Sequence, residues 1–340
     1  MRKRWLFLIA LSVTLSVSIP LLHGGLGSLA ELARIPGWGF AVLLLMVIGG
    51  WLFNSARVHL LTRSLGCPMS GRRSFGTVIA AEFAGVATPA NAGEPATYLY
   101  LFSRHGFAVG RSSAMVAVDK SMDLIFFATT LPIALLSYAL DGGIGHPLHL
   151  TILLAVLILI GLGTLVGLIR YYRPIVLTLG RILHRFPRLR HARFRLARSV
   201  IHFRQSVRLL LTMRASRLFL LYFFCLGHWM LRYSILAVLL SLMGASVPWG
   251  FLFVVQSLLI FAGQATFLPG GGGGVEIGFS ALLSPYLDPM TSASALLVWR
   301  FFTFYLYLLA GAPFFLAATG KGGRGLVGGR SAVSAHSSRI

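Results

Sequence analysis

The chain has 340 residues, of which 56% are hydrophobic and only 11% charged, and Lys plus Arg outnumber Asp plus Glu by 30 to 8. This composition excludes an ordinary soluble domain and a disordered chain, because several apolar runs reach the roughly 20 residues that cross a bilayer. In an all-α polytopic membrane protein the basic excess marks cytoplasmic loops and contact with anionic lipid headgroups; no nucleic-acid partner is expected, since no recognition motif accompanies the charge.

Met-Arg-Lys-Arg opens the chain, followed by the apolar run Trp5 to Leu22. It resembles a signal peptide but lacks a small-x-small cleavage site, so it is read as an uncleaved first span that starts in the cytoplasm. Trp38 to about Leu61 is the second span, and Arg57, Arg63, Arg72 and Arg73 are read as the bases that return the chain to the cytoplasm. From Thr77 to Phe102 an apolar run is interrupted at Val86 to Pro95, and neither half is long enough to cross. With arginines on both flanks, this stretch is expected to be a hairpin that dips in from the cytoplasm and returns, with Asn91 and Glu94 near the start of its second half-helix.

Ser112 to Leu140 is the third expected span, in which Asp119 and Asp123 share a face while Lys120 points roughly 100° away. Leu150 to Ile169 is the fourth. It opens onto residues 170–217, rich in Arg and without an acid, which are expected to form basic amphipathic helices in the inner headgroup layer. His184, His191 and His202 lie there with no Cys or carboxylate beside them, so no metal site is expected, and Cys67 and Cys225 match no metal or redox spacing. Arg217 to about Met243 is the fifth span and carries His228 and Arg232.

Phe251 to Leu268 then enters, and Pro269 with five glycines, Gly270 to Gly274, stops the helix before Val275 to Leu283 returns. Lipid-embedded backbone of this kind is tolerated only where it is buried in protein or lines a cavity. Ala293 to Thr319 is the sixth span and carries Arg300; residues 320–340 are read as a disordered basic tail after a transmembrane domain of residues 1–319.

The charge rule therefore gives six spans, both termini in the cytoplasm, and two re-entrant hairpins that enter from opposite faces, the arrangement of an inverted repeat. Proline, small residues, a glutamate and then a base in the next span recur in order: Pro89, Glu94, Lys120, and again Pro269, Glu276, Arg300. Half-helices that start after a break turn orphan N–H groups toward the midplane, where such ends bind phosphate. The candidate substrate-binding groups are accordingly Asn91, Gly272, Gly274 and the bases Lys120, Arg232 and Arg300. Glu94, Asp119, Asp123 and Glu276 would neutralise those bases in the empty site or receive a lipid ammonium; the competing reading is that the same pairs only hold the bundle together.

Thr88-Pro-Ala-Asn-Ala-Gly-Glu-Pro, Val118-Asp-Lys-Ser-Met-Asp, Leu268-Pro-Gly-Gly-Gly-Gly-Gly-Val-Glu and Trp299-Arg-Phe-Phe-Thr together resemble the lysylphosphatidylglycerol synthase transmembrane-region family over residues 5–319. The resemblance implies a flippase-like protein of a bacterial inner membrane, moving an anionic or aminoacylated phospholipid or a polyprenyl- or hopanoid-type lipid. It places the family's GE motif on Gly93 and Glu94, its acidic-basic element on Asp119, Lys120 and Asp123, and its glycine motif on Pro269 to Glu276. Thr97 and Lys120 stand where the family usually has Arg. No soluble aminoacyl-transfer domain follows the last span, so lysyl transfer by this polypeptide alone is not expected. There is no P-loop, HExxH or nucleophile elbow, and no enzyme activity or cofactor is expected. Two other classes remain: a membrane-embedded lipid-linked transferase, which would change a lipid's mass, and an accessory subunit of a partner synthase, which would copurify with it. Oligomeric state is not specified by the sequence.

Overall fold

The structure, a computed structural model, describes residues 2–25, 27–66, 68–140 and 213–320, with no strand among them. The expected fourth span, most of the arginine-rich segment, Cys67 and the C-terminal tail lie outside the described residues. Ten helices organise the rest: α1 (Arg2–Gly24), α2 (Gly37–Ser64), α3 (Gly71–Val86), α4 (Gly93–Arg104), α5 (Val109–Leu140), α6 (Ala215–Leu242), α7 (Trp249–Ala265), α8 (Gly274–Leu283), α9 (Pro289–Arg300) and α10 (Leu306–Thr319).

Five stretches are long and apolar enough to cross a bilayer: Phe7–Gly24, Gly37–Ser64, Val109–Tyr138, Ala215–Leu242 and Pro289–Thr319. They coincide with the expected spans that fall on described residues. The last is a continuous rod, because a π-helical segment, Phe301–Tyr305, joins α9 to α10. Its start is set by local chemistry. Asp288 accepts hydrogen bonds from the Met290 and Thr291 N–H groups at 3.0 and 3.1 Å, and Pro289 fills the first position, where its missing N–H is not needed. The bonds to Thr291 hold the Asp288 carboxyl below its usual value.

α2 packs along α6, and α3 along α10. Leu43 and Val47 of α2, Leu236 and Leu239 of α6, Phe279 of α8 and Leu296 of α9 share the largest buried apolar cluster. At roughly 1.5–3 kcal/mol per fully buried side chain in water, such burial drives soluble folding; between helices in lipid the gain comes instead from close packing.

Two helical hairpins interrupt the rods. α3 and α4 are joined by the turn Thr88 to Ala92, and α7 and α8 by Thr266 to Gly273. The two turns have the same build. Pro89 and Pro269 each open a 3-10 turn, followed by Ala90 at φ 51°, ψ 26° in one and Gly270 at φ 61°, ψ 11° in the other. Asn91 and Gly271 come next, again with positive φ, 57° and 71°. Glycine adopts this left-handed region freely and asparagine tolerates it, whereas Ala90 holds it against a cost of about 1–2 kcal/mol.

The hairpins open at opposite ends of the bundle. At one end Ser294 Oγ, near the start of the α9–α10 rod, donates to the Ser28 carbonyl, and Leu283, the last residue of α8, precedes that rod by a short loop. At the other end the Arg104 guanidinium, at the close of α4, donates to the Ala318 carbonyl near the end of α10. The two turns meet in the middle, packed against each other.

Candidate functional site

A cavity of about 400 Å³ lies where the turns meet. Ala90 and Asn91 reach it from one turn, Gly270 and Gly271 from the other, and every helix from α2 to α9 contributes to the walls. Seven Asp, Glu, Lys and Arg side chains line it, Arg57, Glu82, Glu94, Lys120, Asp123, Arg232 and Arg300, with His228 and Tyr233 beside them. Charged groups at this depth of an apolar bundle are costly unless paired, and the pairing is extensive.

On the side of the first hairpin, Glu94 stands in the first turn of α4. It receives Asn91 Nδ2 at 2.6 Å and Lys120 Nζ at 2.7 Å. Lys120 also reaches Asp123 at 3.1 Å, so the expectation that it points away from the acids on its own helix is corrected: its long flexible stem carries the ammonium back to the residue three positions on. Asp123 further accepts Trp229 Nε1 at 2.9 Å from α6. Behind them sits Arg57, 1% exposed, with its guanidinium 2.8 Å from Asp119 and 2.7 Å from Asp123. Arg57 was read above as a cytoplasmic flank; the structure instead buries it two turns inside α2, on the same face as Trp51 and Asn54. Asn54 links it onward, accepting from Arg57 Nη2 at 3.1 Å and donating to Glu82 at 2.7 Å.

The second hairpin repeats the pattern more tightly. Glu276, in the first turn of α8 and 0% exposed, receives Arg300 Nε at 2.6 Å, Ser16 Oγ from α1 and the Gly273 N–H at 2.7 Å. Arg300 also donates to the Gly270 carbonyl at 2.8 Å, tying the turn itself to α9. The glutamate-then-base order seen in the sequence thus becomes two ion pairs, one at the tip of each hairpin.

The candidate residues divide by position. Asn91, Glu94, Lys120, Asp123, Arg232 and Arg300 face the cavity, whereas Asp119 and Glu276 lie behind it. Gly272 packs against Ser12 of α1 and Gly274 against Thr266, so neither faces the cavity. The N-terminal ends expected to be open to phosphate are partly occupied in this conformer: Thr88 Oγ1 accepts from the Gly93 N–H at 2.7 Å, and Glu276 caps α8. Glu82, with no role in the sequence reading, joins the lining. Its signal was legible as a lone acid in the apolar run Val78 to Ala84. No cluster of metal-ligating side chains occurs among the described residues.

The profile of the family "Lysylphosphatidylglycerol synthase TM region" matches residues 6–311 of the chain. A UPF0104 membrane protein of Archaeoglobus fulgidus is 23% identical over 276 residues, covering 80% of this chain and 84% of its own.

Proposed function

The chain belongs to the lysylphosphatidylglycerol synthase TM region family of membrane proteins, and from that premise we propose that it moves the headgroup of a lipid between leaflets through the charged cavity. The observation that carries this reading is the gathering of seven Asp, Glu, Lys and Arg side chains around one space of about 400 Å³ between two hairpin turns. A headgroup crosses slowly because its charge must leave water, and a polar path at mid-depth removes most of that barrier. In this reading both hairpins dip into the bilayer without crossing it, from opposite faces, in a multi-pass protein of a bacterial inner membrane with both termini in the cytoplasm. The lipid is an anionic or aminoacylated phospholipid or a polyprenyl- or hopanoid-type lipid, and the protein itself makes no covalent change to it. A synthase that makes the lipid is the natural partner.

Arg232 is the base placed to receive a phosphate. Arg57, Lys120 and Arg300 each touch a carboxylate at 2.6–2.8 Å, but among the described residues the nearest carboxylate oxygen to Arg232 is that of Glu82 at 3.8 Å. Its guanidinium lies over the Tyr307 ring at 4.6 Å, and its side chain is 21% exposed toward the cavity. A guanidinium fork with unfilled donors matches phosphate oxygens, in bonds of roughly 1.5–3 kcal/mol each. Arg232→Gln is therefore expected to slow leaflet exchange of a fluorescent phospholipid in proteoliposomes about tenfold or more, with the elution profile of the purified protein unchanged. Unaltered exchange would remove the cavity from the lipid's path, and a shift in the lipid's mass on incubation would replace transport with transfer.

The opposed hairpins carry their own test. Ser103 and Ser284 are exposed residues at the open ends of the first and second hairpin. Cysteines placed there are expected to react with a membrane-impermeant maleimide from opposite sides of sealed vesicles; labelling from one side would contradict the proposed topology.

A further inference from the structure

We propose that Glu82 takes up one proton each time an anionic headgroup occupies Arg232, so that lipid and proton cross together; this rests on the transport reading above and adds its coupling ion. The argument begins with charge. Around the first hairpin Glu82, Glu94, Asp119 and Asp123 face Arg57, Lys120 and Arg232, and the Arg300–Glu276 pair is neutral by itself. Among the described residues the ionised cluster in and directly behind the cavity therefore holds one more acid than base. An anionic lipid adds a second uncompensated negative charge in a poorly screened interior, where like charges repel far more strongly than in water. Neutralising one carboxylate restores the original balance.

The geometry selects which carboxylate. Glu94 is held by Lys120, and Asp119 and Asp123 are both held by Arg57. Glu276 is held by Arg300 together with Ser16 and the Gly273 N–H. Glu82 differs: its contact partners are the neutral donors Trp51 Nε1 at 3.1 Å and Asn54 Nδ2 at 2.7 Å, and its cation, Arg232, stands off at 3.8 Å. Four packed helices supply the groups that face it. α2 presents Trp51 and Asn54, with Arg57 beyond Asn54 committed to Asp119 and Asp123. α4 presents the like charge of Glu94, α6 presents Arg232, and α10 presents the Tyr307 hydroxyl. When Arg232 turns to a phosphate, Glu82 keeps no cation in contact, and a buried carboxylate so placed binds a proton.

The exchange balances. On loading, an O–H bond forms on Glu82 with a proton from the aqueous side that supplies the lipid, while the Arg232 guanidinium passes from carboxylate to phosphate. On unloading, that O–H bond breaks, the proton leaves to the opposite side, and Arg232 returns to Glu82. The cavity carries the same net charge throughout.

The test uses the full chain in phosphatidylcholine vesicles doped with fluorescent phosphatidylglycerol, with a pH-sensitive dye inside and protein-free vesicles as the measure of passive leak. Lipid exchange and proton flux are expected to rise together, and a gradient acid on the donor side is expected to speed net lipid movement several-fold. Glu82→Gln is expected to carry no protons with whatever lipid it still moves, and to ignore the gradient. Phosphatidylglycerol moved by the unaltered protein without proton flux, or proton flux retained in Glu82→Gln, would overturn the coupling while leaving transport standing. Absence of any lipid movement in the unaltered protein would overturn transport and coupling together. The unaltered protein alone decides the matter should Glu82→Gln not fold.

Discussion

Arg57→Met is expected to lower the stability of the folded protein by about 3–5 kcal/mol, the usual consequence of removing one partner from a buried ion pair. The side chain is 1% exposed and its guanidinium bridges Asp119 and Asp123, two carboxylates one helical turn apart on α5. Without it those acids keep Lys120, which is already engaged with Glu94, and two neutral donors, the Trp229 indole and the Cys225 thiol. Most of the loss is the uncompensated burial of negative charge rather than the missing attraction, so adding Asp119→Asn and Asp123→Asn to Arg57→Met is expected to recover much of it. Arg57→Lys is not a conservative rescue, because a point charge on a flexible stem does not span both carboxylates as a planar fork does. Thermal unfolding in mild detergent reads all of these. A loss below about 1 kcal/mol in the single variant would put the network in the class of weak surface pairs and take away its structural role.

Gly93→Ala is the second large effect, and it acts through shape alone. A methyl group there would fall on the Ala84 carbonyl of the facing helix and beside the Thr88 hydroxyl, and the first of these is backbone that has no rotamer to change. α3 and α4 must part at the turn, at an overpacking cost of about 1–3 kcal/mol. The Gly93 N–H to Thr88 bond and the seat of Glu94 beside Lys120 shift with them. Loss of leaflet exchange is expected together with a lowered unfolding temperature. Gly71→Ala is the control, since a methyl there meets open space, and it is expected to leave both measurements near those of the unaltered protein. Equal behaviour of the two variants would mean that the close approach of α3 and α4 has no functional weight.

The features that sequence reading recovers are those written locally. Apolar runs, the proline and glycine breaks, and a glutamate followed by a base in the next helix point to the five spans that fall on described residues, the two turns and the Glu94–Lys120 and Glu276–Arg300 pairs. The failures have a physical cause as well. Arg57 was counted with Arg63, Arg72 and Arg73 because charge rules weigh a base by its distance from a span's end, whereas burial is decided by what the opposite helix presents, here Asp119 and Asp123 on α5. The polar stripe Trp51, Asn54, Arg57 on one face of an otherwise apolar helix was the signal available. Gly272 and Gly274 were placed at the site because five glycines announce a broken backbone; that Gly272 packs against Ser12, far away in the chain, is a long-range contact with no local pattern.

Ser12 and Ser16 of α1 donate to the Pro269 carbonyl and to Glu276, and Arg300 grips the same turn from the other side. The turn at Pro89 receives no such outside support among the described residues: its bonds come from its own hairpin, and the base that meets it, Lys120, is 37% exposed. Two jaws of like design therefore differ in stiffness, one bonded to α1 and α9 and the other, among the described residues, bonded beyond its own hairpin through the Glu94–Lys120 contact. Opening free energy is drawn from the least supported element, so any stroke that bares the cavity first to one face and then to the other falls to the jaw at Pro89, with its counterpart serving as the anvil.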